Sequence, residues 1–219
     1  PPPPPPPTPP STPSSAASDV YKRQDQGFFL GDHGWFDKRL MYEESLIMPL
    51  LIRYPAMVTD TEASDEIVLN VDFAPTLLDL AGVPIPDHVQ GRSFATLLAG
   101  ERPDDWQTSM YYRYWMHRDG AHNTPAHYGV RTQTHKLICY YNDPLGQPGA
   151  QGPIDPIEWE LFDLETDPFE QNNVIADPAY SEVRAELLTE LARLQRNLGD
   201  DPYPGALDAV DALPHRGAI

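Results

Sequence analysis

The chain has 219 residues, with 33 Asp and Glu against 15 Lys and Arg, a net charge of −18, and 40% apolar residues. That length and apolar content allow one ordinary domain, or one and a part, with a real core. The charge argues against nucleic acid or an anionic membrane as partner, no run of about 18 apolar residues is present to span a bilayer, and the lone Cys139 rules out an intrachain disulfide and a multi-cysteine zinc site.

Residues 1–24 open with Pro1 to Pro7, Pro9, Pro10 and Pro13 among Ser and Thr, a low-complexity composition that predicts extended polyproline or disorder. Without an apolar h-region the stretch does not read as a signal peptide. It adds charge of the opposite sign, through Lys22 and Arg23 against Asp19, so the acidity belongs to residues 25–219.

Asp25 to Arg39, DQGFFLGDHGWFDKR, concentrates Asp25, Asp32, Asp37, His33, Lys38 and Arg39 among Gly27, Gly31 and Gly34. The glycines permit positive φ and close backbone approach, so a loop is expected that turns polar side chains toward one point while Phe28, Phe29, Trp35 and Phe36 anchor it. Asp25 and Gln26 offer oxygens to a hard divalent cation such as calcium or magnesium. Lys38 is a compact cation suited to an anionic substrate oxygen. The competing reading is a surface turn with solvated charges.

Leu40 to Ser45 suggests a short helical turn, and MPLLIRYP, Met48 to Pro55, an apolar strand buried on both faces of a parallel α/β sheet. Asp72 to Ala81 reads as an amphipathic helix with Asp72 as N-cap, Phe73, Leu77 and Leu80 on one face, and Gly82 as the stop. Val83 to Glu101 reads as a loop carrying an exposed His88, then a short helix at Ser93 to Ala99. The composition shifts at about Arg102 to Asp105. Tyr111, Tyr112, Tyr114 and Trp115, then Tyr128 to Tyr141, are rich in β-formers; GVRT and HKLI are expected to pair as antiparallel strands, and Glu158 to Pro168 to add a strand and turn. A helix opens at Pro178 behind Asp177 and closes at Gly199, with Val183, Leu187, Leu191, Leu194 and Leu198 along its apolar stripe. Beyond Asp200 the proline-punctuated tail is expected to fray.

The motifs DQG, GDHG, the lysine and YEES resemble the second metal-binding segment of the sulfatase family, within the alkaline-phosphatase superfamily. VDFAPTLLDLAGVPIP and GRSFATLL resemble that family's packing segments, and LFDLETDPFEQNN the end of its small C-terminal subdomain. The resemblance implies an α/β fold class: residues 25–104 as the end of a large domain with a parallel strand and helices, residues 105–200 as a small antiparallel-sheet subdomain with a long helix, and 201–219 as a tail. It implies a sulfuric ester hydrolase acting on a sulfated small molecule or glycan in the periplasm or outside the cell. Its metal would be calcium, held by Asp25 and Gln26, with Lys38 as the catalytic cation on the sulfate. His33, His127 and Arg131 would be further substrate-binding candidates; for His127 and Arg131, ordinary polar positions on a sheet edge remain the alternative.

In this family the nucleophile is a formylglycine made from Cys or Ser in C/S-x-P-x-R. Cys139 is followed by YYND and fails that motif, and Ser11 begins STPSS, which has the proline but not the arginine. A metal ligand at Asp25 is also expected to end a buried strand, yet no apolar run precedes it. The expectation is therefore a C-terminal fragment behind a foreign leader, inactive alone, with a natural proline-rich linker as the alternative. A phosphonate or phosphate monoester hydrolase of the same superfamily, or a non-catalytic calcium- or carbohydrate-binding module, would carry similar residues. His117, His122, His127 and His135 crowd one region, but without an H-x-x-x-H pair and its Glu they do not make a zinc signature.

Overall fold

The computed structural model describes residues 21–23, 26–58 and 63–213. Along the chain lie β1 (Tyr21–Arg23), α1 (Glu43–Leu46), β2 (Leu50–Ile52), α2 (Phe73–Leu80), α3 (Ala95–Leu98), β3 (Ser109–Tyr114), β4 (His127–Thr132), β5 (His135–Tyr140), β6 (Glu158–Asp163), α4 (Ser181–Leu198) and α5 (Ala206–Asp211). The described residues divide into two compact units, one of β1 with residues 49–106 and one of residues 26–48 with 107–213.

In the first unit, β2 forms within the apolar run but pairs antiparallel with β1, from Tyr21↔Ile52 to Arg23↔Leu50. This corrects the parallel, doubly buried strand expected there: Leu51 is 68% exposed. Apolar content signals burial but does not set how many neighbours a strand has, and a two-stranded ribbon leaves one face open. Asp72 precedes α2 as expected, yet its carboxylate does not cap that helix. Oδ2 instead accepts the Leu69 N–H (2.8 Å) and Oδ1 the Arg92 N–H (2.8 Å). Thr76 Oγ1 adds a second stitch, donating to the Asp72 carbonyl (2.6 Å) and accepting the Phe94 N–H (3.0 Å). Gly91 is required between them, since a Cβ there would lie 1.9 Å from the Val71 carbonyl oxygen. The GRSF segment is thus sewn onto α2 by buried polar groups, and Phe73 and Phe94 close the seam edge to face at 5.6 Å.

The second unit is built on an antiparallel meander in the order β3-β4-β5-β6. Because side chains alternate across a strand, one face presents Tyr128, Val130, Leu137, Cys139, Trp159 and Leu161, which pack with Leu187 and Leu191 of α4 and Ala206 and Val210 of α5. The other face presents Ile138, Tyr140 and Phe162 to Phe29, Leu40, Met41 and Tyr42. The acidic glycine-rich loop is therefore the third layer of this unit, opposite the helices.

The long helix begins as expected, with Asp177 Oδ1 accepting the Ala179 N–H (2.9 Å) in a short 3-10 turn, and ends at Gly199 in the left-handed region. Leu198 departs from the expected stripe at 55% exposed. The tail does not fray through residue 213. Trp159 Nε1 donates to the Ala206 carbonyl (3.0 Å), and the Tyr203 hydroxyl donates to Asp143 (2.7 Å), so α5 is held by groups that sequence spacing does not link to it.

Candidate functional site

The loop folds back on itself: the Phe29 N–H donates to the Asp37 carbonyl (2.8 Å) and the Gly31 N–H to the Trp35 carbonyl (2.9 Å). Its tip, Asp32–Gly34, turns tightly, with Gly31 at φ 122°, His33 at 51° and Gly34 at 76°. Phe29 anchors it in the core, whereas Phe28 and Phe36 are exposed at 48% and 73% and do not.

The fold-back brings the two ends of the motif together. The Gln26 side-chain amide donates to the Lys38 carbonyl across twelve positions, which leaves Oε1 as the Gln26 oxygen not engaged as acceptor there. Asp37 is buried and takes the Lys38 N–H on Oδ1 (2.7 Å), and the same oxygen pairs with the Arg39 guanidinium. Arg39 is thus neutralised, whereas the Lys38 ammonium has no ion-pair partner among the described residues. His33 rests on the Tyr42 ring at 4.6 Å with Nε2 3.6 Å from the Glu44 carboxylate. Asp25, the other expected metal ligand, lies outside the described residues, as does Ser11. No three His, Cys, Asp or Glu converge on a metal-sized point among the described residues.

His127 and Arg131 are not placed at an open rim. His127 is fully buried, with Nδ1 2.7 Å from the Pro125 carbonyl oxygen and its ring among Tyr112, Tyr114 and Tyr140. Burial pushes its pKa down to about 4, against the smaller opposing pull of the Pro125 and Arg39 carbonyls. Arg131 lies on the loop-facing side of β4 and gives Nη2 to Glu43 Oε2 (2.9 Å) and Nε to Oε1 (3.3 Å). β4 is an inner strand of the sheet, so the edge position considered for these residues does not apply. Of the aromatic run, Tyr111, Tyr112 and Tyr114 are tied by their hydroxyls to Asp200, the Arg39 carbonyl and Asp119; Trp115, 43% exposed, carries the Arg113 guanidinium 3.7 Å from its ring. Cys139 is buried with its pKa pushed up to about 12 by burial, the opposite of what a nucleophilic thiolate needs.

Sequence reasoning missed a buried ion network next to the loop. Lys136 on β5 is wholly inaccessible and lies 2.8 Å from Glu43 Oε1 and 2.6 Å from Glu170 Oε1. The Glu43 N–H donates to Glu170 Oε2 (2.7 Å). The signal was there: alternation puts Lys136 on the same face as Ile138 and Tyr140, and a buried ammonium requires a carboxylate.

The His127 environment makes acid stability a direct test. An unfolded histidine titrates near 6.5 and this one near 4, so between those values the unfolded state binds more protons. The contribution is complete above about 6.5 and is lost as pH falls toward 4, about 3 kcal/mol in total. His127→Phe is expected to abolish that slope relative to wild type in denaturant unfolding at pH 7 and 4.5; parallel pH dependences would show that the ring takes up its proton without leaving the core.

Residues 31–197 match the profile of the C-terminal region of N-sulphoglucosamine sulphohydrolase. Over 179 residues the chain is 45% identical to the N-acetylglucosamine-6-O-sulfatase of Bacteroides thetaiotaomicron, which covers 81% of this chain and 30% of that protein. Over 174 residues it is 32% identical to an arylsulfatase of Clostridium perfringens, covering 76% and 32%. A solved structure of a protein in complex with its substrate D-glucosamine-2-N,6-O-disulfate superposes with TM-score 0.72 at 40% identity, over 90% of this chain and 36% of that one. The chain belongs to the sulfatase family, in the alkaline-phosphatase superfamily, and corresponds to its C-terminal region. It spans about 30% of the length of these curated relatives.

Proposed function

We propose that this chain is the C-terminal part of a sulfuric ester hydrolase that removes sulfate from glucosamine-type sugars. The observation that carries the proposal is the closure of the loop that joins Gln26 to Lys38 and leaves the Lys38 ammonium without a counter-ion among the described residues. The substrate class is supported by the names of two of these relatives, both of which concern sulfated or sulfatable glucosamine.

In this reading Asp25 and Gln26 hold calcium. The donor chemistry fits: a carboxylate and an amide oxygen are hard ligands, and the Gln26 amide nitrogen is held by the Lys38 carbonyl, with its oxygen not engaged among the described residues. Bound there, calcium would supply charge stabilisation at the sulfate. Lys38 donates to a sulfate oxygen, and Arg39, already paired with Asp37, holds the loop. Two side-chain ligands fall well short of the roughly six to eight oxygens that calcium prefers. The nucleophile and the other ligands accordingly belong to a part of the protein outside these residues, and the fragment is inactive alone. No helix among the described residues is long and apolar enough to cross a membrane. The periplasm or the outside of the cell is the location that the family resemblance implies.

The test is a chimera in which residues 25–219 replace the corresponding part of the Bacteroides N-acetylglucosamine-6-O-sulfatase. It is expected to melt cooperatively and to release sulfate from N-acetylglucosamine 6-sulfate in a calcium-dependent way. A folded chimera that cleaves phosphonate or phosphate monoesters instead would overturn the sulfatase reading. Tight stoichiometric calcium binding by the 219-residue chain itself, in calorimetry, would favour a non-catalytic binding module.

A further inference from the structure

The buried network of Glu43, Arg131, Lys136 and Glu170 has no role in the function proposed above, yet it lies next to the loop. Arg131 and Lys136 are direct cross-strand partners on β4 and β5, an arrangement that is repulsive on its own. The Glu43 carboxylate lies between them, in contact with both, and Glu170 completes a set of two acids and two bases. Burial raises the Glu43 carboxyl pKa, but the Lys136 and Arg131 charges outweigh it and hold it below the ordinary value. In Glu170 burial wins and the pKa is raised. Such networks are poor sources of stability, since apolar replacement of similar volume is often neutral or better. What they can do is fix one geometry.

What this one fixes is α1. Glu43 is its first residue, and its backbone N–H is also held by Glu170. From α1 the chain reaches both ends of the loop. On one side Gly27 donates its N–H to the Ser45 carbonyl (3.1 Å) and lies so close that a Cβ would be 2.1 Å from the Glu44 carbonyl oxygen. On the other, Leu40, Met41 and Tyr42 run from Lys38 and Arg39 across the sheet directly into Glu43. A shift of α1 would therefore move Gln26 and Lys38 relative to each other.

We propose that the Glu43–Arg131–Lys136–Glu170 network is a positioning device that locks α1 onto the sheet and, through α1, sets the separation between Gln26 and Lys38. The roles of those two residues rest on the function proposed for the chain; the mechanical coupling does not.

The double variant Lys136→Met/Glu170→Gln keeps the site neutral and its volume similar, and leaves the Glu43–Arg131 pair intact. Hydrogen exchange of the 219-residue chain is expected to show amides of residues 26–48 exchanging at least tenfold faster, with protection in β3 to β6 and the melting temperature nearly unchanged. In the chimera the same variant is expected to lower kcat about tenfold with KM little altered. Unchanged loop exchange in a folded double variant would overturn the proposal, and so would loss of protection by loop and sheet together, which is the signature of a general structural role. If the double variant does not fold, Arg131→Met removes only the outer, partly exposed contact to Glu43 and should speed loop exchange about threefold; no change in that folded variant would equally overturn it. A chimera without sulfatase activity but with the exchange pattern intact would sink the functional reading and leave the coupling standing.

Discussion

Lys38→Ala in the chimera is expected to lower turnover of N-acetylglucosamine 6-sulfate by about 100- to 1,000-fold. An ammonium that donates to a sulfate oxygen as charge builds up contributes a charge-assisted hydrogen bond in a desolvated site, and losing one such donor typically costs about 2.7 to 4 kcal/mol of transition-state stabilisation. The melting temperature should barely change, because the contacts that shape the loop at this position are made by the Lys38 backbone, through its N–H to Asp37 and its carbonyl to the Gln26 amide. Arg39→Ala is the control. Its guanidinium is committed to Asp37, so its removal should cost some loop stability and far less rate. Equal losses of turnover in the two variants would show that the cation facing the substrate has been misassigned.

How much of this was legible in the sequence differs between the elements. The long helix was legible because every signal was local: Asp177 and Pro178 at its start, apolar residues spaced four, four, three and four apart, and Gly199 at its end. The β4–β5 hairpin and β6 were legible for the same reason, as short β-forming runs separated by turns. The loop was legible as a loop, but not its hairpin closure or its place as a layer on the sheet, because Phe29, Met41 and Tyr42 meet Ile138 and Phe162 only through tertiary packing. Asp72 looked like a helix cap from spacing alone; its carboxylate instead accepts from, among others, the Arg92 N–H, twenty residues on, which no local rule reaches.

The network at Lys136 shows the same limit more sharply. A lysine on a buried strand face announces that a carboxylate must lie nearby, but the chain offers 33 Asp and Glu, and nothing in the sequence selects Glu43 and Glu170 from them. His127 and Arg131 failed as rim candidates for a related reason. The family resemblance suggested that they reach the substrate, whereas β4 is an inner strand on which His127 is fully buried and Arg131 is paired with Glu43.

The loop layer on the sheet is what makes Gly129→Ala a substitution with a large expected effect on stability. Gly129 lies in β4 on the loop-facing side, and a Cβ there would sit 2.3 Å from the Leu137 carbonyl oxygen and 2.7 Å from Met41 Sδ. The sulfur can swing away, since a methionine side chain has several rotatable bonds. The carbonyl cannot, because it belongs to the neighbouring strand and moving it distorts the β4–β5 ladder. The expected cost is therefore at the upper end for overpacked cores, about 3 kcal/mol, or roughly 10 °C in melting temperature. Met41 also lies between Lys38 and Glu43 in the chain, so the displaced layer should carry the loop with it, and residues 26–48 should lose hydrogen-exchange protection before the helices do. Gly120→Ala is the matched control, since its Cβ would meet only the Gln151 side chain at 3.3 Å. Equal melting temperatures for the two variants would show that β5 and Met41 have room to retreat, and that the loop is not seated on the strand as described.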